Sequence, residues 1–283
     1  MANAILSFPN RGDTATLSGG SFALPITNLQ NRRLKSYART NTAADGQFVI
    51  NAVFSEPKAM RLIAFSRHNF STLATYRLRL YSDAAMTVLA YDTGLLPVFD
   101  VVYTEESETW DSGNFWDLTL SADDREGLRA SLECLLPETY TEHAFKFELF
   151  DSTNMDGYLQ AGRLFVGSGW QPVYNMAYGA SIQFEERSLH DEADGGTEFH
   201  DEREDPRVVR FNFPRTREDE GMGMGYELMR KQSTTRDVYF IWNPDDKLNL
   251  QRRSFLGRLR SLNPLEHDFF DNIATQFEIK EQL

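Results

Sequence analysis

Cysteine, cations and long apolar runs are what this chain is short of. Its single cysteine, Cys134, excludes an intramolecular disulfide and a cysteine-based zinc site, so stability must come from packing or from assembly. Lys and Arg number 29 against 42 Asp and Glu, a formal charge of −13. Nucleic-acid binding needs a basic face, and no cluster of cations along the sequence supplies one, so nucleic acid is not an expected partner. No run approaches the roughly 18 apolar residues of a membrane span, which argues against membrane insertion. The stretch Met1 to Pro9 lacks the basic and long apolar parts of a secretion signal. Synthesis in the cytosol is the expectation, with export only as part of something larger.

Catalytic signatures are missing too. There is no G-x-S-x-G elbow, and Cys134 lies in the apolar stretch Leu132 to Leu136, so nucleophilic catalysis has no candidate. Carboxylates are too numerous for a glycosidase pair to be selected, because separation across the fold decides that chemistry. None of His68, His143, His190, His200 and His267 stands at the helical zinc-pair spacing. Gly221, Gly223 and Gly225 suggest a nucleotide loop, but Tyr226 stands where the fingerprint needs glycine. Ser152 to Gly157 begins like a calcium loop, but Arg163 occupies the position of the bidentate acid. His190 and His200 flank acidic residues, so a mixed His/carboxylate cation site stands as the rival to a solvated loop. The chain reads as non-enzymatic, with no cofactor, no catalytic residue and no metal.

What the chain has is β texture. Hydrophobic residues make up 41% and aromatics 13%, with 21 Phe and 11 Tyr, which suits pleated surfaces. Tyr76 to Tyr81 alternates, with Tyr76, Leu78 and Leu80 on one face and Arg77, Arg79 and Tyr81 on the other. Gln47 to Phe54, Met60 to Phe65, Phe145 to Phe150 and Tyr158 to Val166 read as further strands separated by turns. A helical interruption is expected at Ser121 to Glu126.

Past Trp170 the texture changes. Asp237 to Trp242 predicts a buried strand, and Ile273, Thr275, Phe277 and Ile279 share one face of another. Asp219 to Lys231 is the best helix candidate. Residues 191–205 carry eight carboxylates against Arg203 alone and predict an exposed loop between the arms of a long hairpin, Ala180 to Arg187 and Val208 to Phe213. The expected organisation is an N-terminal arm (1–17), an antiparallel β-sandwich (18–170) and a β-rich unit with one helix (171–283) carrying an acidic loop at 190–206.

Leu24 to Leu29, Tyr37 to Thr40, Phe54 to Pro57, Leu62 to Asn69, Tyr76 to Asp83 and Asn154 to Gly167 together resemble the galactose-binding-like, discoidin-type jelly roll of tailed-bacteriophage tail proteins. The ending Phe277 to Glu281 is similar in texture to phage distal-tail, minor-tail and baseplate proteins. The resemblance implies a structural protein of a siphophage tail tip or baseplate, located in the virion. It would form a symmetric ring of its own copies, or decorate one, beside other tail proteins, with a possible role in host attachment. Ile182, Phe184, Val209, Phe211 and Phe213 are the candidate assembly interface. The alternative is a carbohydrate-binding module for host surface glycans, with Tyr37, Trp110, Trp116 and Trp170 as candidates for stacking on sugar rings.

Overall fold

The computed structural model describes residues 2–103 and 118–283. Trp110 and Trp116 lie outside the described residues.

Two long strands, Val49–Ser66 and Ser131–Phe150, run antiparallel through the middle of a seven-stranded sheet. The segment Leu62 to Phe65 is apolar without interruption because both of its faces are covered. Ile63 and Phe65 point into the core of the sandwich, while Leu62 and Ala64 join a second apolar cluster on the other side. In Thr75–Tyr81 the alternation is as expected for Tyr76, Leu78 and Leu80, which are buried. Arg77 pairs outward with Asp92 at 2.5 Å, and Arg79 pairs with Glu148. Tyr81, expected outside, is 8% exposed.

A small sheet of Phe22–Leu24, Ala38–Thr40 and Gln160–Ala161 lies apart from the large one. Residues of both sheets share one core, with Phe48 meeting Phe22, Phe65, Phe70 and Phe147 edge-on. Burying a side chain of this size is worth roughly 1.5–3 kcal/mol, so this cluster dominates the cohesion of the sandwich.

The second unit is a sheet in the order Ile5–Ser7, Val238–Ile241, Ser254–Leu259, Asn272–Glu281, Arg207–Thr216 and Ser181–Phe184, with Leu265–Phe269 also paired to Asn272–Glu281. Residues 1–17 therefore do not form one arm. Ile5–Ser7 supplies a strand to the second unit, and Thr16–Ser18 pairs with the long strand of the sandwich. The sandwich is thus inserted between the first strand of the second unit and the rest of it. Val238–Ile241 is wholly buried, as its composition predicts, and Ile273, Thr275, Phe277 and Ile279 all face inward.

The helix spans Glu218 to Gln232, with Gly221–Tyr226 in π geometry. A Cβ at Gly221 would sit 3.1 Å from Ile273, so the glycine permits close packing and no phosphate loop is formed. The short helix at Ala122–Arg125 falls where the capping pattern puts it. The acidic stretch departs from expectation: in place of a loop, Leu189–Glu192 and Glu198–Asp201 pair as a two-stranded hairpin.

Ile5, Leu62, Ala64, Phe165, Tyr239 and Leu256 form the apolar part of the seam between the two units. Polar pairs complete it. Arg163 bonds Asp237, and the Glu133 carboxylate accepts hydrogen bonds from Ser131 at 2.6 Å and from the Tyr239 hydroxyl at 2.7 Å.

Candidate functional site

Of the aromatic candidates, Trp170 is not available to a sugar. It is 4% exposed, packs against Phe213 and Phe277, and donates its indole N–H to Glu220 at 2.9 Å. Its backbone bridges to Leu6, so it belongs to the core of the second unit. Tyr37 is half-buried in the sandwich. The Asp151–Gly157 turn is also committed, since Asp151 accepts from the Ser71 N–H at 2.9 Å and from the Asn154 amide at 2.8 Å. Asp13, in the Arg11-Gly12-Asp13 tripeptide, is taken by Arg163.

The expected assembly residues divide by position in the sheet. Val209, Phe211 and Phe213 sit on the interior strand Arg207–Thr216 and are buried, so they are core and not interface. Ile182 and Phe184 lie on Ser181–Phe184, which among the described residues pairs only with Arg207–Thr216 and ends the sheet. All four of its residues are exposed, Phe184 to 67%. Among the described residues no strand neighbours the far side of this backbone, which leaves a template for further pairing.

The acidic hairpin continues from the end of this strand pair, and every residue of its two strands is exposed. On one face Leu189 stands opposite Asp201 and Asp191 opposite Phe199; on the other His190 faces His200 and Glu192 faces Glu198. The Nδ1 atoms of the two histidines lie 2.6 Å apart, and His190 Nε2 lies 2.7 Å from Glu186. No group of three His, Cys, Asp or Glu able to hold a metal ion occurs among the described residues. The hairpin's stem is tied down by the Arg187 N–H donating to Asp205 at 2.8 Å and by Glu204 on Arg67 at 2.5 Å, a pairing that holds the Glu204 carboxyl below its ordinary value.

Beside that stem, the 31–36 loop of the sandwich and the last strands of the second unit enclose a groove of about 690 Å³. Leu34, Leu259 and Leu283 contribute apolar walls, and Arg32, Arg33, Lys35, Arg187, Arg258, Arg260 and Lys280 contribute charge. Its one carboxylate side chain, Glu281, is spent on Arg207 at 2.6 Å and on Arg129. Glu278 holds Arg260 at 2.6 Å, and Lys280 holds the Glu185 carboxyl below its ordinary value across 2.5 Å. Arg32, Arg33 and Arg187 make no ion pair among the described residues. Sequence reasoning missed this surface because its cations come from four separated stretches, of which the Arg32-Arg33 doublet is the densest local signal.

No protein-family model matches the sequence, and no curated protein matches it. Solved structures resemble parts of it. A Ruminococcus gnavus GH29 fucosidase in complex with fucose aligns at 12% identity and a TM-score of 0.36 over 58% of this chain, which spans only 28% of the fucosidase. The family 32 carbohydrate-binding module of C. perfringens NanJ, in complex with galactose, aligns at 10% identity and a TM-score of 0.36, covering 57% of this chain and 98% of the module. The CBM32 of AlyQ, in complex with 4,5-unsaturated mannuronic acid, aligns at 12% identity and a TM-score of 0.33, covering 56% and 96%. These are partial likenesses of chain path, and the residues of this chain carry the functional reading.

Proposed function

We propose that this chain is a non-catalytic assembly component that joins further chains through its second β-unit and carries the sandwich as an appended module. The observation that supports this most directly is the open edge strand Ser181–Phe184. Soluble monomers cover, shorten or charge such edges, whereas this one presents Ile182 and Phe184. The resemblance to siphophage tail-tip and baseplate proteins agrees with such a role and makes the virion tail the expected location. Mass photometry of the full chain across concentration is the test, followed by cryo-electron microscopy of the particle. A closed oligomer that Phe184→Lys dissociates supports the reading; a monomer at every concentration overturns it.

Carbohydrate recognition is the second reading, as a module binding host surface glycans. The observation favouring it is the cationic groove two residues from Tyr37, which suits a carboxylated sugar. Saturable binding to an acidic glycan array, lost in Arg33→Glu, would support it; a blank array would remove it.

A further inference from the structure

The chain carries two oppositely charged surfaces that meet within one copy only at the hairpin's stem, where Glu204 lies 3.9 Å from Lys35. The hairpin holds Asp191, Glu192, Asp194 and Glu202, none of which makes an ion pair among the described residues. It also exposes Leu189 to 54% and Phe199 to 60%, although an isolated two-stranded hairpin is marginal in water unless something packs on it. Leu189, Phe199, Asp191 and Asp201 share one face, so that face alternates apolar and acidic groups. The groove offers the matching arrangement, leucine walls with unpaired Arg32, Arg33 and Arg187 at the rim. No residue of the chain's own hairpin between 188 and 205 lines it.

We propose that the acidic hairpin of one copy docks in the cationic groove of a second copy. This rests on the assembly reading above and names its contact. Different patches meet on the two copies, so the interface is heterologous and propagates into a ring or a filament according to the rotation between subunits. Charge complementarity steers and registers the encounter, while Leu189 and Phe199 lose their exposure to water on the leucine walls. The net charge of −13 makes an unguided encounter between copies repulsive, and the groove supplies the exception.

The test is a charge exchange in the full chain. One variant carries Arg32→Glu with Arg33→Glu; the other carries Asp191→Lys with Glu192→Lys. All four side chains are at the surface or project from the hairpin, and circular dichroism with thermal melts checks that both variants fold. Each alone should associate at least about tenfold more weakly by sedimentation velocity. An equimolar mixture should recover association, because each reversed hairpin then meets a groove of opposite sign. Wild-type association should weaken as NaCl rises from about 0.05 to about 0.5 M. Association that neither reversal changes, while Phe184→Lys abolishes it, overturns hairpin docking and leaves the assembly reading standing. An acidic oligosaccharide that fills the groove without competing with association overturns it as well. A wild-type chain that stays monomeric overturns both.

Discussion

Arg163 and Asp237 meet at 2.6 Å with the guanidinium fully buried and the carboxylate side chain 2% exposed. Arg163 begins the strand Arg163–Gly167 of the sandwich, and Asp237 immediately precedes Val238–Ile241 of the second unit, so one ion pair spans the seam. Asp13 lies on the other guanidinium nitrogen at 2.6 Å. Removing one member of a buried pair strands the other charge away from water.

Arg163→Met should therefore destabilise the chain by about 3–5 kcal/mol. Adding Asp237→Asn to that variant should recover part of the loss, because the stranded charge is gone. Urea denaturation of the single and double variants measures both; equal stability of the two would show that the buried charge is not what costs.

Glu133 sits half-buried at the seam, and desolvation raises its pKa against the opposing hydrogen bonds from Ser131 and Tyr239. A carboxyl whose folded pKa lies above its unfolded one favours the folded state only while protonated, and that advantage is lost as pH rises through the folded value. Glu133→Gln keeps an acceptor for Tyr239 without the charge. The difference in melting temperature in favour of the variant should be small below pH 4.5 and grow towards pH 8. A difference that does not change with pH would contradict this.

His68 is held in the opposite sense. Burial lowers its pKa from 6.5 to about 3, and its ring stacks on Phe70 at 4.3 Å while Nδ1 accepts from the Phe70 N–H at 3.2 Å. The unfolded chain then takes up the proton first, so stability falls as pH drops from 6.5 towards about 3. His68→Asn preserves an acceptor near Phe70 and cannot titrate. Its urea midpoint should fall less than that of the wild type across this window; parallel profiles would show that His68 does not carry the acid sensitivity.

Gly162 faces the Leu34 carbonyl so closely that an added Cβ would lie 2.4 Å from it. The obstacle is backbone, so Gly162→Ala must displace the 31–36 loop that walls the groove. A loss of roughly 1–3 kcal/mol is expected, together with weaker self-association if the groove is a docking surface. Alanine tolerated at no cost in a thermal melt would refute the close approach.

The β class, the alternation of Tyr76, Leu78 and Leu80, the buried strand before Trp242 and the inward face of Ile273 to Ile279 were all legible in the chain. Each depends on a period of two residues acting locally. The eight carboxylates of 191–205 could be recognised as surface for the same kind of reason, since such charges cannot be buried unpaired. Their pairing as a hairpin was not readable, because mutual repulsion argues against structure until the flanking strands at 181–184 and 207–210 bring the ends together. Trp170 and Phe211 could not be separated from Phe184 by residue type: only sheet order decides which aromatic is interior and which is on the edge. Insertion of the sandwich behind Ile5–Ser7 was likewise invisible, because that strand's partner lies more than 230 residues away in sequence. By itself the sequence determined the texture of the elements and the absence of local catalytic signatures. Tertiary structure alone decided the candidate site, because cations at 32–35, 187, 258–260 and 280 become one groove only when two folded units close on each other.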